Sequence, residues 1–68
     1  MKEIKVNTDI IKLDSFLKWC GAVFTGSEAK FYIQNGKVKL NDIVENRRSK
    51  KLSKGDIVEI NGICYKII

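Results

Sequence analysis

Residues 12–41 read KLDSFLKWCGAVFTGSEAKFYIQNGKVKLN. This stretch contains two helix patterns followed by one strand pattern. In the first pattern, apolar residues recur every three or four positions, which places them in one stripe along a helix. The members of this stripe are Leu13, Phe16, Leu17 and Cys20. Asp14 lies in the first turn, where the helix dipole favours an acidic side chain, and Gly21 provides a C-terminal cap. The stretch therefore predicts an amphipathic helix that ends at Gly21.

The second helix pattern begins at Thr25, which is followed by Glu28 at the spacing of a capping box. This pattern predicts a helix over residues 26–35, ended by the left-handed conformation that Gly36 favours. Its inward-facing residues are Ala29, Tyr32 and Ile33. Residues 37–41 alternate between polar and apolar side chains, which predicts a short strand with its lysines outward.

The rest of the chain predicts further strands around one basic loop. Alternating side chains predict strands over residues 3–7, 56–60 and 63–68, and Asn61-Gly62 is a strong signal for a hairpin between the last two. Residues 46–54, NRRSKKLSK, hold five basic residues and no acid, and are predicted to be a loop. We therefore expect the α+β class: a two-helix motif packed on a small, mostly antiparallel sheet, formed by residues 1–68 as one domain.

The chain is strongly basic for its size. Thirteen Lys and Arg residues stand against eight Asp and Glu residues, which gives a formal net charge of +5 and a pI near 9.4. Such an excess on a small surface favours a polyanion as the partner. No apolar run approaches the roughly 20 residues of a membrane span, so we expect a cytoplasmic protein.

The composition argues against catalysis. Histidine is absent, which removes the commonest general base and the usual partner of a Ser or Cys nucleophile. No glycine-rich motif of the kind that cradles nucleotide phosphates is present. Cys20 and Cys64 lie in apolar sequence without metal-ligand spacing and are predicted to be buried thiols. We therefore expect no enzyme activity, no cofactor and no metal site.

The order of the elements, together with several short motifs, resembles one family. The motifs are Lys12-Leu13-Asp14, Leu17, Thr25-Gly26-Ser27-Glu28-Ala29-Lys30, Ile33, Gly36-Lys37-Val38-Lys39-Leu40-Asn41 and Gly55-Asp56-Ile57-Val58. Over residues 12–60 the chain resembles the RNA-binding domain named after small-subunit ribosomal protein S-four, also called the alpha-L motif, and in particular its small stand-alone members of the YaaA and YbcJ type. The resemblance implies a non-catalytic protein that binds structured RNA, namely ribosomal RNA, in ribosome assembly or translation.

One position departs from the family pattern. The family commonly has Ser-Arg at the start of its second helix, where this chain has Thr25-Gly26. An arginine that contacts RNA is therefore missing at that point. The small stand-alone members tend to share this loss, so the departure leaves the expected fold unchanged.

Nine residues are candidates for RNA contacts. They are Lys12, Ser27, Lys30, Phe31, Lys37, Arg47, Arg48, Lys50 and Lys51. The last four form the densest charge in the chain, which favours phosphate binding over a loop that only aids solubility. Ser27, Lys30 and Phe31 lie away from the apolar stripe of the second helix. Phe31 either offers a stacking platform for unpaired bases or packs beneath the basic loop or the N-terminal strand.

The sequence also predicts a role for its tryptophan and leaves a second function open. Trp19 shares a helix flank with Lys12 and is expected to be a partly buried wall of the core rather than an RNA contact. The alternative function is a protein-interaction adaptor that uses the same fold, with lysines that only aid solubility. This fold is also appended to synthetases and pseudouridine synthases, but Met1 and the closing strand favour a whole protein, which we expect to be a monomer.

Overall fold

The computed structural model describes residues 1–68 and contains two helices and seven strands. The helices are α1 (Leu13–Trp19) and α2 (Gly26–Gln34). The strands are β1 (Lys2–Ile4), β2 (Ile10–Lys12), β3 (Val38–Leu40), β4 (Ile43–Val44), β5 (Lys51–Ser53), β6 (Ile57–Ile60) and β7 (Ile63–Ile67). The expected α+β class is confirmed, and neither helix is long or apolar enough to cross a membrane.

Five of the strands form one mixed sheet in the order β1-β7-β6-β3-β4. All neighbours are antiparallel except β1 and β7, which run parallel. The predicted hairpin at Asn61-Gly62 is confirmed, since both residues have positive φ, 54° and 74°, as a type I′ turn requires. The N-terminal strand is shorter than the alternation predicts, although the Val6 N–H still donates to the Ile68 carbonyl at 3.0 Å.

The prediction of a loop over residues 46–54 is wrong for the second half of this segment. Lys51–Ser53 forms β5, which pairs antiparallel with β2 and makes a separate two-stranded sheet. Leu52 lies opposite Ile11 and is buried, so β5 belongs to the core as well as to the surface. A strand of three residues places only one side chain inward, and this is too little to show a period in the sequence.

The core is one cluster of thirteen buried apolar residues, to which the helices and both sheets contribute. Leu13, Phe16 and Leu17 of α1 are completely buried, as are Ala29 and Ile33 of α2, which confirms the two predicted stripes. The sheets contribute Val38, Leu52, Val58, Ile60, Tyr65 and Ile67. No polar or charged residue is buried, so burial of apolar surface holds the fold together without a buried ion pair.

Two expectations about side-chain burial are wrong. Trp19 is 54% exposed and is no wall of the core, because Cys20 and Ala22 close the core at that end of α1. Cys64 is only half-buried, since it lies opposite Glu59 on the face of the five-stranded sheet that is turned away from the buried residues. Cys20 packs against the core but is likewise only half-buried, so neither thiol is as buried as the sequence predicts, and both are free.

The start of α2 is capped as the sequence predicts, with one difference. The Glu28 N–H donates to Thr25 Oγ1 at 3.1 Å, which is the first bond of a capping box. The Glu28 carboxylate accepts the Phe24 N–H at 3.0 Å instead of the Thr25 N–H. The reciprocal bond therefore holds the residue before the cap and fixes the chain as it enters α2.

Both helices end in a Schellman motif. After α2, the Gly36 N–H donates to the Ile33 carbonyl at 3.3 Å and the Lys37 N–H donates to the Tyr32 carbonyl at 2.9 Å. The same pair of bonds follows α1 around Gly21. Because Gly36 has φ +69°, it turns the chain sharply from α2 into β3.

A side-chain clasp joins the turn after β3 to the start of β6. Asn41 has φ +50°, and its carboxamide accepts the Ile57 N–H at 2.9 Å and donates to Asp56 at 3.2 Å. The second oxygen of Asp56 accepts the Ser53 N–H at 2.9 Å. The clasp therefore links β3, the end of β5 and β6 at one corner of the fold.

We expect Gly36→Ala to lower the free energy of unfolding by about 1–2 kcal/mol, because an alanine Cβ strains the left-handed conformation. The added Cβ would lie 3.8 Å from Val44, an ordinary contact, so the backbone alone carries the cost. Gly26→Ala is the matched control, since Gly26 is the first residue of α2, lacks positive φ and has open space around it. Urea unfolding should show no loss for Gly26→Ala, and equal losses in both variants would contradict the expectation.

Candidate nucleic-acid interface

The basic segment, residues 46–54, is held against the first turn of α1 by hydrogen bonds to its own backbone. Lys12 is the N-cap residue of α1, and its side chain makes no capping hydrogen bond. Instead, the Leu13 N–H donates to the Lys50 carbonyl at 2.9 Å and the Asp14 N–H donates to the Arg48 carbonyl at 3.1 Å. Carbonyls of the basic segment therefore satisfy donors that a helix start leaves free. The cationic side chains of Arg48 and Lys50 are thereby held beside α1.

Two lysines stand directly opposite each other in the small sheet. Lys12 of β2 pairs with Lys51 of β5, and both are exposed. Their side chains share the outer face because the neighbouring pair, Ile11 and Leu52, points into the core. Like charges in this position repel, and no carboxylate forms an ion pair with either lysine. This arrangement attracts an anion that can lie between the two ammonium groups.

Arg47 is partly engaged within the protein. Its Nε lies 3.0 Å from the Glu45 carboxylate, which also accepts the Arg47 backbone N–H at 3.1 Å. The hydrogen bond from the Arg47 side chain is the main reason that the pKa of Glu45 is lowered, and the same contact raises the pKa of Arg47. Arg48 makes no side-chain bond within the protein, so its whole guanidinium remains available to a ligand.

A second group of candidates lies on α2. Ser27, Lys30 and Phe31 are all exposed, and Phe31 retains 58% of its surface. Its ring contacts the Tyr32 ring edge-on, with ring centroids 5.6 Å apart. Because the Phe31 side chain is exposed, the alternative prediction that it packs beneath the basic segment or the N-terminal strand is wrong. Lys37 is also exposed, and its backbone N–H completes the Schellman motif that ends α2.

The nine candidates belong to two parts of the fold, namely the start of α1 with residues 47–51, and α2 with the turn that follows it. No hydrogen bond joins α2 to residues 46–54, whereas α1 packs against both α2 and β2. The first group is Lys12, Arg47, Arg48, Lys50 and Lys51. The second group is Ser27, Lys30, Phe31 and Lys37.

The charges on the outer face of the five-stranded sheet balance. Lys66 lies opposite Glu3, and Lys39 lies opposite Glu59. Two lysines and two glutamates contribute no net charge, so the formal +5 of the chain resides on the rest of the surface. The structure contains no pocket, and no group of Cys, Asp and Glu residues is arranged to hold a metal ion.

Two features of this surface are not predicted from the sequence. The first is that Lys12 and Lys51 are opposed, because the strand Lys51–Ser53 is too short to show a period; the one available signal is that Lys51-Leu52-Ser53 and Ile10-Ile11-Lys12 each place an apolar residue at the centre. The second is the exposure of Phe24, which is 86% accessible in the link between the helices. No pattern in the sequence marks Phe24 as exposed.

These features define a class: a small basic α+β domain in which two short helices pack on a mixed sheet and a cationic segment is fixed at the first helix. This arrangement is that of the alpha-L motif, and the family model described as S4 domain matches residues 4–68. The chain belongs to the S4 domain family.

Three comparisons illustrate the likeness. The chain is 41% identical over 59 residues to the probable ribosome maturation protein RlbA of Bacillus subtilis, an overlap that covers 87% of this chain and 83% of that protein. It superposes on YbcJ from E. coli with a TM-score of 0.73 and 27% identity, covering all of this chain and 87% of that one. The solution structure of YbcJ is described as revealing an alpha-L motif involved in RNA binding.

The third likeness shows the fold alone. Ribosomal protein S4e of the 30S subunit from Thermoplasma acidophilum matches with a TM-score of 0.66 and 22% identity. The match covers 88% of this chain but only 32% of that protein. The same arrangement of helices and strands therefore occurs both in a chain of this size and as part of a longer protein.

We expect Lys51→Glu to raise the free energy of unfolding by roughly 0.2–1 kcal/mol, because it replaces a repulsive cross-strand pair with an attractive one. Lys66→Glu is the matched control: it changes the net charge equally but places a second carboxylate opposite Glu3. Urea unfolding at low salt should show stabilisation by the first variant and destabilisation by the second. A shift of the same sign in both would mean that overall charge, not the opposed pair, controls stability.

We expect the ion pair of Glu45 and Arg47 to give a stability that depends on pH. Because folding lowers the pKa of Glu45, its contribution is complete above the usual glutamate pKa of about 4.3 and is lost as the pH falls through the lowered value. The urea midpoints of wild type and Glu45→Gln should therefore differ at pH 6 and converge towards pH 3. Arg47→Gln should behave alike, and a difference that persists unchanged at pH 3 would assign it to another cause.

Proposed function

We propose that this protein is a non-catalytic RNA-binding protein that recognises structured RNA, namely ribosomal RNA, during ribosome assembly. The observation that carries the proposal is the opposed pair Lys12 and Lys51, beside a cationic segment held on α1 by backbone hydrogen bonds. Phosphates supply the counter-charge that this surface lacks. Membership of the S4 domain family supports the proposal, as do the relative named as a probable ribosome maturation protein and the alpha-L motif of YbcJ.

The first group of candidate residues would bind the RNA backbone. Lys12 and Lys51 would share one phosphate, and Arg48 and Lys50 would contact its neighbours along the strand. Arg48 is better suited than Arg47 to bind a phosphate through two guanidinium nitrogens. The guanidinium of Arg47 already donates hydrogen bonds to the Glu45 carboxylate. These contacts position the protein on RNA through charge and shape, without reading sequence.

The second group would contact RNA beyond α1. Lys30 and Lys37 would bind phosphates, Ser27 would donate a hydrogen bond at the start of α2, and Phe31 would stack on an unpaired base. Gly26 stands where the family commonly has an arginine, so α2 supplies less charge here and the segment at α1 carries the larger share. Residues 1–68 would act as one unit, as a cytoplasmic monomer and without a cofactor.

Binding to deproteinised ribosomal RNA as a function of salt tests this proposal. We expect the log-log slope of affinity against salt to be roughly 3–5, and to fall by about 1–2 in Arg47→Ala/Arg48→Ala. The matched control is Lys39→Ala/Lys66→Ala, which removes the same charge from the balanced outer face of the sheet and should keep the wild-type slope.

Three results would count against the proposal in different ways. No affinity for RNA at low salt would overturn it. Equal slopes in wild type and in Arg47→Ala/Arg48→Ala would remove both arginines from the contact, and equal slopes in Lys12→Ala/Lys51→Ala as well would move the contact to the α2 group. A protein partner that stays bound after nuclease treatment, with no RNA affinity, would favour the adaptor function.

A further inference from the structure

Trp19 is a tryptophan held at the surface. It is the last residue of α1, it is the single tryptophan of the chain, and 54% of its surface is exposed. Its indole N–H donates to the Lys5 carbonyl at 2.9 Å. The polar atom of the ring therefore has its partner within the protein, and the bond restricts the orientation of the ring. Such a side chain presents an apolar face that is already ordered before any ligand arrives.

The surroundings of Trp19 are basic. Lys5, whose carbonyl holds the indole, and Lys18, the preceding residue, are exposed and form no ion pair. An exposed ring whose hydrogen-bond partner and chain neighbour are both free lysines can stack on a base while those lysines reach the adjoining phosphates.

The same helix connects Trp19 to the opposed lysines. Lys12 caps the start of α1 and Trp19 ends it, a separation of about 10 Å at 1.5 Å per residue. Ser15 and Trp19 are four residues apart and share one flank of the helix. A strand whose phosphate lies between Lys12 and Lys51 can therefore follow this flank and reach the indole.

We propose that an unpaired RNA base stacks on the indole of Trp19, with Lys5 and Lys18 beside the adjoining phosphates. This inference rests on the proposed RNA-binding function and extends its footprint along α1 from Lys12 to Trp19. Trp19 is thus a binding residue that determines which RNA is preferred, because a stacked base must be free of its own helix. Fully paired RNA lacks such a base and binds through charge alone.

Because Trp19 is the single tryptophan, its fluorescence reports directly on the ring. Wild-type protein is titrated at low salt with deproteinised ribosomal RNA, with fully paired RNA and with heparin, a polyanion that has no bases. We expect ribosomal RNA to quench the emission of Trp19, and heparin to bind without comparable quenching. Fully paired RNA should resemble heparin.

Two substitutions separate stacking from the structural role of the indole. Trp19→Phe and Trp19→Leu both lose the hydrogen bond to Lys5, but only phenylalanine keeps an aromatic face. If the ring stacks on a base, Trp19→Leu should bind ribosomal RNA about 5-fold or more weakly than Trp19→Phe does, with similar urea midpoints. The two variants should bind heparin equally.

The outcomes distinguish this inference from the proposed function. Ribosomal RNA that binds without changing Trp19 emission would overturn the stacking contact and leave RNA binding standing. Equal affinities of Trp19→Phe and Trp19→Leu would do the same, as would equal quenching by heparin. Failure of every RNA to bind wild type would overturn both.

Discussion

The two hydrogen bonds from the Leu13 and Asp14 N–H groups to the Lys50 and Arg48 carbonyls are the constraint on which the candidate site depends. They cap α1 with backbone from a segment more than thirty residues away, so the helix start and the basic segment form one unit. They also bring β5 alongside β2, where Leu52 enters the core. Together with the pairing of β5 and β2, they fix the cationic side chains relative to α1.

Charge is distributed differently on the outer face of the five-stranded sheet and on the outer face of the two-stranded sheet. On the outer face of the five-stranded sheet, each lysine stands opposite a glutamate, an arrangement that favours folding. At the small sheet, Lys12 stands opposite Lys51, an arrangement that opposes folding. No charged residue is buried in the core, so the burial of apolar side chains must offset the free-energy cost of the repulsion between Lys12 and Lys51. A surface that carries such a cost without structural benefit is where a polyanionic ligand gains most.

The motifs shared with the S4 domain family have distinct physical roles. Asn41 and Asp56 form the clasp that joins β3, β5 and β6, which explains why an asparagine after the strand and a Gly-Asp pair occur together. Thr25, Glu28 and Gly36 set the ends of α2. These residues hold the scaffold, whereas the lysines and arginines around Lys12 occupy its surface.

Local patterns in the sequence determine both helices, both caps of α2, the C-terminal turn of α1, the Asn61-Gly62 hairpin and the inward stripes, because each depends on neighbours within a few residues. The start of α1 is the exception, since distant carbonyls cap it. The sequence also identifies the basic residues of the segment 46–54, but it predicts a loop where Lys51–Ser53 forms β5. The tertiary structure alone decides that Lys12 faces Lys51, that Glu45 engages Arg47, and that Trp19 stays exposed while Cys20 and Ala22 close the core. The opposition of Lys12 and Lys51 and the closing of the core both bring together residues that are distant in the chain. The ion pair of Glu45 and Arg47 depends on the backbone conformation of a segment without regular secondary structure. No hydrophobic period or turn signal in the sequence records such relations.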